Sequence, residues 1–399
     1  MAKTNKYLND KFIKTNNILL KNKKLSKTRV ILYYLDRILC FFISKPKKGF
    51  NNKKRVLIIF NLALGDGVVF LCSLKNIRKL YPKKDFILDI ACQKGLESMY
   101  IKTGYFDNVI PLNFTKGTIN INERFKIIRR LNKDYYDLLL DPIGANDYLT
   151  NVLMSRNVKS NYKIGAIINS IPRNISKHIL NKTYNEIKTI NSKSLIEQYY
   201  EFFYEKYNVE YCSLPAEKIE FNIPKEYYIV FPSASSELKR WPTKRYAQII
   251  QKIYAKTKYP LLICGTNSDK DAYDELLQLI DKDIPVINIL GKTNLLSFFN
   301  IVKNAKFVIT NDTSTYHIAV VSQTPVAIIT GGYTYDRYVK YEFKNNKFRP
   351  YIITNKMECF NCYNNCHKLV NNKKVWPCLD NVTVDYAWNI IEDMINKEL

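Results

Sequence analysis

The sequence predicts an α/β protein built from two doubly wound halves in tandem, and three observations predict it. The chain has 399 residues, more than one compact core usually takes and suited to two domains of ordinary size. Hydrophobic residues at 46% and aromatics at 13% supply enough apolar surface for real cores and exclude global disorder. Continuous apolar runs, the mark of strands buried on both faces of a parallel sheet, alternate with segments of helical period.

The first such run is Arg55–Phe60. Asn61–Gly67 supplies a turn, and Val68–Leu80 carries helical periodicity until Tyr81 and Pro82 stop it. Strand and helix candidates then alternate at 86–90, 96–102, 109–112, 124–131, 137–141 and 163–166. A helical stretch at Ser194–Tyr207 and a connector near Phe221–Pro224 precede a second opening strand, Tyr227–Phe231. The second half continues with helices at Thr243–Ala255, Asp269–Ile280, Asn294–Lys303 and from about Thr313, and strands at Pro260–Cys264, Val286–Leu290, Phe307–Asn311 and Pro325–Thr330. A last helix is expected at Val384–Lys397. The expected domains are a basic N-terminal extension (1–52), a first α/β domain (53–222), a second (223–382), and a C-terminal helix (383–399) that packs back toward the first.

The formal charge of +26 is concentrated at the front, with sixteen Lys or Arg against Asp10 and Asp36 between Met1 and Arg55. Such a front suits nucleic acid or an anionic membrane surface, or simply reflects a Lys-, Asn- and Ile-rich composition. No recognisable RNA- or DNA-binding motif accompanies it, so nucleic acid is not an expected partner. Nothing near Met1 resembles a secretory signal, which predicts a cytoplasmic protein. The apolar stretch Val30–Ile43 is too short for a bilayer span and is interrupted by Asp36 and Arg37. It fits a helix lying in the headgroup layer, or one packed on the following domain.

Ligands of doubly wound sheets bind beyond the carboxyl ends of the strands, and polar residues concentrate there. After the first strand, Asp66 stands between Gly65 and Gly67 as a candidate general base, or as a helix cap. After the second opening strand, Ser235, Ser236, Lys239 and Arg240 form a set suited to a diphosphate, hydroxyls donating to phosphate oxygens and the ammonium neutralising charge on a departing group. The alternative is a solvated loop with Trp241 packed beneath it. Further on, Asp312 and Thr313 open a helix that carries Ser314 and His317. Backbone N–H groups at a helix start bind phosphate, while Asp312 could equally be a simple cap and His317 a satisfied buried imidazole. Asp269 and Asp271 form an Asp-x-Asp string, but its place at a helix start with Lys270 between argues against a metal site.

Four segments, RVLIIFNLALGDG, VFPSASSELKRWP, LLICGTNSDKD and ILGKTNLLSFFNIVKNAKFVITNDTSTYHIAV, in this order and spacing, resemble glycosyltransferase family 9, the ADP-heptose:lipopolysaccharide heptosyltransferases. The resemblance runs over roughly Lys54–Ile391. It implies the GT-B architecture, two Rossmann-like domains facing a central cleft, with acceptor on the first and nucleotide sugar on the second. It implies inverting transfer without a metal, from a nucleotide sugar to a lipid-linked or phosphorylated glycan at the cytoplasmic face of the inner membrane. By resemblance Asp66 takes the position of the base, flanked by Gly65 and Gly67 on the acceptor side. Lys239 matches the lysine on the donor phosphates; Asp312, Thr313 and His317 fall on the Asp-Thr-Gly-x-x-His motif; and Gly265, Asn267 and Asp269 lie where the nucleoside is held. Ser314 departs from the usual glycine, which leaves a backbone amide in place but puts the donor's identity in doubt.

Nine cysteines in a reducing compartment should mostly be thiols. Cys40, Cys72, Cys92, Cys212 and Cys264 sit in apolar contexts and read as core. Cys359, Cys362, Cys366 and Cys378 cluster with the spacing of a structural zinc site, with His367 as an alternative ligand. Disulfides, free thiols and an iron–sulfur cluster are the other readings.

Overall fold

The computed structural model describes residues 23–44, 46, 52–118, 120–143, 152–170, 177–211, 214, 221–343, 348–369 and 374–399. The first 22 residues of the basic extension, and Cys212, lie outside the described residues. Helix α1 (Lys23–Phe41) precedes the first strand, β1 (Lys54–Phe60). The chain continues through α2 (Leu64–Leu80), β2 (Phe86–Gln93), α3 (Glu97–Thr103), β3 (Asn108–Leu112), α4 (Phe114–Gly117) and α5 (Ile121–Leu131). Then come β4 (Tyr136–Asp141), α6 (Leu153–Asn157), β5 (Ser160–Ile168), α7 (Lys177–Thr183), β6 (Glu186–Ile190) and α8 (Leu195–Phe203). These strands form a six-stranded sheet in the order β3-β2-β1-β4-β5-β6, with parallel pairing at β1–β2, β1–β4 and β4–β5.

The second half comprises β7 (Tyr228–Phe231), α9 (Thr243–Thr257), β8 (Leu261–Ile263), α10 (Lys270–Leu279), β9 (Val286–Asn288), α11 (Leu295–Asn304) and β10 (Val308–Thr310). It ends with α12 (Ser314–Val321), β11 (Val326–Ile329), β12 (Tyr351–Ile353), α13 (Pro377–Asp380) and α14 (Val384–Glu398). Its sheet has the order β12-β11-β10-β7-β8-β9 and all five pairings are parallel. Strand order thus reverses beside the opening strand of each half, at β1 and at β7, where loops leave on both sides of a crevice.

The contacts divide the chain into one unit of residues 1–61, 84–94 and 112–189, and another of 62–83, 95–111 and 190–399. Helix α2, with Asp66, therefore groups with the second half of the sequence. In the first unit, α1 is held by a fork of two hydrogen bonds from Arg124 to Asp36, 2.5 and 2.6 Å long, with both side chains fully buried. In the second, β7, β8, β10 and β11 pack with Trp241, Tyr246, Ile250 and Tyr273 into one core.

Helix α14 packs on its own sheet, where Ala387, Ile391, Met394 and Ile395 join the core. Four apolar residues on one helical face bury most surface where β11, β12 and α9 already form a wall. The first helix of the second unit starts at Leu64 and not at Val68, because nothing in Leu64–Gly67 forbids helical dihedrals even though two glycines disfavour them.

Candidate functional site

Starting α2 at Leu64 places Asp66 inside its first turn. The N-cap is Ala63, which makes no side-chain bond, so the capping role is excluded for Asp66. An acidic group in the first turn still faces the positive end of the helix dipole. The neighbouring Gly65 explains what Asp66 meets. A Cβ at Gly65 would lie 3.0 Å from His317 Cδ2 and 3.7 Å from Ser314 Cα; the missing side chain lets α2 rest on α12. Gly67 differs: it is buried, and a Cβ there would meet Tyr100 Oη at 3.0 Å and Met99 Cε at 3.2 Å. It is a packing glycine against α3.

Burial lifts the Asp66 carboxyl from 3.8 to about 6. Arg337 opposes that rise, Asp312 adds to it, and Lys239 also draws it down. Four charges thus act on one another, and the sequence reading had picked three of them. Arg337 was missed. It sits on a π-helical turn, Tyr335–Val339, a geometry that recurs at functional sites, and its Nε is buried with no hydrogen-bond partner among the described residues. No spacing motif marks it; a lone arginine in Tyr335-Asp336-Arg337-Tyr338 gives sequence reasoning nothing to count.

Lys239 ends a short 3₁₀ turn, Glu237–Lys239, and its Nζ donates to Asp312 Oδ2 at 2.9 Å. The ammonium also lies 5.1 Å from the centre of the Tyr333 ring. Asp312 is buried but is not a cap: Thr313 is the N-cap of α12, its side chain accepting from Thr315 N–H. Ser314 is the first helical residue. His317, on the same helix, is buried and shares a 2.6 Å hydrogen bond between Nδ1 and the Tyr341 hydroxyl. Burial lowers its pKa to about 4, so the imidazole is neutral at physiological pH.

The loop between β7 and α9 is held from below by a residue outside the predicted set. Asn311 is fully buried, donates from Nδ2 to Pro232 O at 2.6 Å, and accepts at Oδ1 from Trp241 N–H and the Tyr246 hydroxyl. Trp241 is buried and its indole N–H donates to Val382 O, as the packed-tryptophan alternative foresaw. Above that floor Ser235 is exposed and Ser236 and Lys239 are half-buried. Arg240 turns back on its own loop, donating from Nε and Nη2 to Ala234 O at 3.2 and 3.0 Å. Its guanidinium thereby braces the loop.

After β8, Gly265 has φ +129° and a Cβ there would press on Asp269 Oδ2 at 2.9 Å and the Phe231 ring at 3.1 Å; only glycine serves. Asp269 closes a capping box, accepting at Oδ2 from Thr266 N–H at 2.8 Å. That carboxylate braces the loop in which it stands. Asn267 lies against Gly291, which has φ +70°.

Cys359, Cys362, Cys366 and Cys378 line one cavity of about 10 Å³, roughly the room of a single water-sized sphere. All four are thiols without a disulfide. The segment between them holds Asn361, Tyr363 and Asn364 at φ of 60°, 50° and 63°, left-handed conformations that a tyrosine in particular adopts only when its surroundings impose them. Among the described residues no group of three or more His, Cys, Asp or Glu stands in metal-holding geometry.

The family model described as glycosyltransferase family 9 (heptosyltransferase) matches residues 124–368. Among solved structures, glycosyl transferase family 9 from Veillonella parvula shares 14% identity at a TM-score of 0.67, covering 88% of this chain and 100% of that one. The Escherichia coli ADP-heptose lps heptosyltransferase II shares 15% identity at a TM-score of 0.61, covering 86% and 99%. Lipooligosaccharide heptosyltransferase 2 of Haemophilus influenzae is 28% identical over 95 residues, a match that spans 23% of this chain and only 27% of that protein. The two parallel six-stranded sheets are the GT-B pair that the resemblance implied. With the family model covering well over half of its length, the chain belongs to glycosyltransferase family 9.

Proposed function

We propose that this protein transfers a heptose, or a closely related sugar, from a nucleotide diphosphate donor, ADP-heptose foremost, to a lipopolysaccharide core acceptor at the cytoplasmic face of the inner membrane. The observation that carries this reading is the carboxylate of Asp66, tuned to about 6 on a helix that rests, through Gly65, on the helix start of Thr313 and Ser314. The likeness to the Escherichia coli ADP-heptose lps heptosyltransferase II and to lipooligosaccharide heptosyltransferase 2 of Haemophilus influenzae supports heptose and the lipid-linked acceptor.

In this mechanism an acceptor hydroxyl gives its proton to Asp66 while its oxygen attacks the anomeric carbon. The bond from that carbon to the diphosphate oxygen breaks on the opposite face, and its electron pair leaves with the nucleotide. Inversion follows from this single displacement. Lys239 exchanges Asp312 for the diphosphate and neutralises its growing charge, with Ser235, Ser236 and the amides at the start of α12 donating beside it. Asp312, relieved of Lys239, accepts from donor hydroxyls. No divalent cation is assigned a step. Neutral His317 holds the α2–α12 contact and donates or accepts without carrying charge.

Incubating the purified protein with ADP-heptose and heptose-deficient lipopolysaccharide, with and without EDTA, tests the reading directly: mass spectrometry should show one added heptose under both conditions. Absence of product with that donor, but transfer from another nucleotide sugar in a panel, would support a second reading, a transferase for a different surface glycan. Ser314 in place of a glycine at the first turn of α12 favours keeping it in view.

The four cysteines are proposed to hold a structural zinc ion, drawn in around their shared cavity; sulfur is the donor set that soft divalent ions prefer. Elemental analysis should find about one zinc per chain, lost in a Cys362→Ser, Cys378→Ser variant. Metal-free native protein with unchanged stability would refute it.

A further inference from the structure

Helix α1 is apolar on two faces, and one of them is buried in the fold. Leu32, Asp36 and Ile43 are buried, and the Asp36–Arg124 fork sets the helix rotation. Beyond the helix end, Lys159 donates from Nζ to Ile43 O. On the other side Ile31, Tyr34, Ile38 and Phe41 recur at helical spacing with exposures of 63, 61, 58 and 86%, and Phe42 follows at 73%. Eleven large apolar side chains are exposed among the described residues, and five of them lie within these twelve positions. A patch so concentrated marks an interaction surface.

Its neighbours are cationic. Arg37 is exposed on the same helix. Phe42 and Ser44 line an open cavity of about 660 Å³ together with Lys126, Arg129, Arg130 and Lys133. Arg130 pairs with Asp134, and Lys126 lies 3.9 Å from Glu123; Arg129 and Lys133 are exposed and have no carboxylate partner among the described residues. Among the described residues no helix is long and apolar enough to cross a membrane. Aromatic and aliphatic side chains beside uncompensated cations form the combination that lies in an interface, apolar groups entering the acyl boundary and ammonium or guanidinium groups meeting phosphates.

We propose that the outward face of α1 is a docking surface for an anionic bilayer, with Ile31, Ile38, Phe41 and Phe42 inserted at the headgroup–acyl boundary and Arg129 and Lys133 on lipid phosphates. This deepens the reading of a lipid-linked acceptor and rests on it only for its purpose, since binding to lipid is measured without any sugar transfer.

The full-length protein is sedimented with vesicles of phosphatidylglycerol and phosphatidylethanolamine, and separately with phosphatidylcholine alone. Binding should be strong only to the first set and weaken with salt. The Ile38→Glu, Phe41→Glu variant, altered only at exposed positions, should melt like the native protein yet bind anionic vesicles more than about tenfold less tightly. Arg129→Glu, Lys133→Glu should lose the salt-sensitive part. ADP affinity should stay native in both, so loss of lipid binding is separable from failure of the transferase reading. Native-like vesicle binding by the first variant would overturn the proposal. So would loss of binding on removal of residues 1–22 alone, or a native dimer that this variant makes monomeric, which would make the face a contact between copies.

Discussion

Asp66 carries an energetic conflict that the proposed role of base requires. Its carboxyl titrates near 6 against 3.8 when unfolded, so the unfolded chain releases its proton first and stability falls as pH rises from about 4 to about 6. Above that window the ionised base is held in a site that disfavours it. An Asp66→Asn variant should therefore melt no lower than the native protein at pH 8, a comparison made by calorimetry. In the proposed mechanism the same titration governs activity: kcat/KM should climb through an acidic limb with an apparent pKa near 6. Arg337 is the leading charge that opposes the rise, so Arg337→Gln should move that limb to higher pH. A merely structural arginine would lower activity without shifting the profile. His317 works with the opposite sign: its folded pKa near 4 lies below the ordinary 6.5, so the stability gained by keeping it neutral is present above 6.5 and lost as pH falls toward 4.

At the scale of elements, strands were the most legible feature, because a run such as Val56–Phe60 is buried on both sides and needs no partner to identify it. Helix starts were less so. The onset of α2 at Leu64 was obscured by Gly65 and Gly67, which sequence propensity reads as loop, whereas in the fold they are the residues that let α2 touch α12 and α3. That contact makes Gly65 a test of the site: Gly65→Val should cost about 1–3 kcal/mol of stability, read by urea titration, and lower kcat more than it lowers nucleotide affinity. Short strands such as β12, and the π-helical turn bearing Arg337, went unforeseen because three to five residues carry too little periodicity to register. Loop chemistry was legible in type more than in use. Lys239 bonds directly to Asp312 beside Thr313, while Arg240 and Asp269 bond within the loops that carry them, a distinction that lies in partners several residues away. Asn311 reads in sequence as one more polar residue after a strand; its four partners come from β7's loop and α9.

Across the whole molecule, two parallel sheets with reversed strand order at β1 and β7 provide the frame, and the buried pair of Asp36 and Arg124 ties α1 to it. Removing one partner strands the other charge without water, so Arg124→Gln should cost about 3–5 kcal/mol in chemical denaturation and loosen lipid binding while leaving ADP affinity intact. The central claim is that a base from α2 and a cationic cradle from the β7–α9 loop act on one reaction. It is tested most directly by single-turnover transfer with Asp66→Asn, with ADP affinity measured on the same preparation. The account predicts a rate lower by about 10²–10⁴-fold at unchanged nucleotide affinity; transfer at the native rate would contradict it.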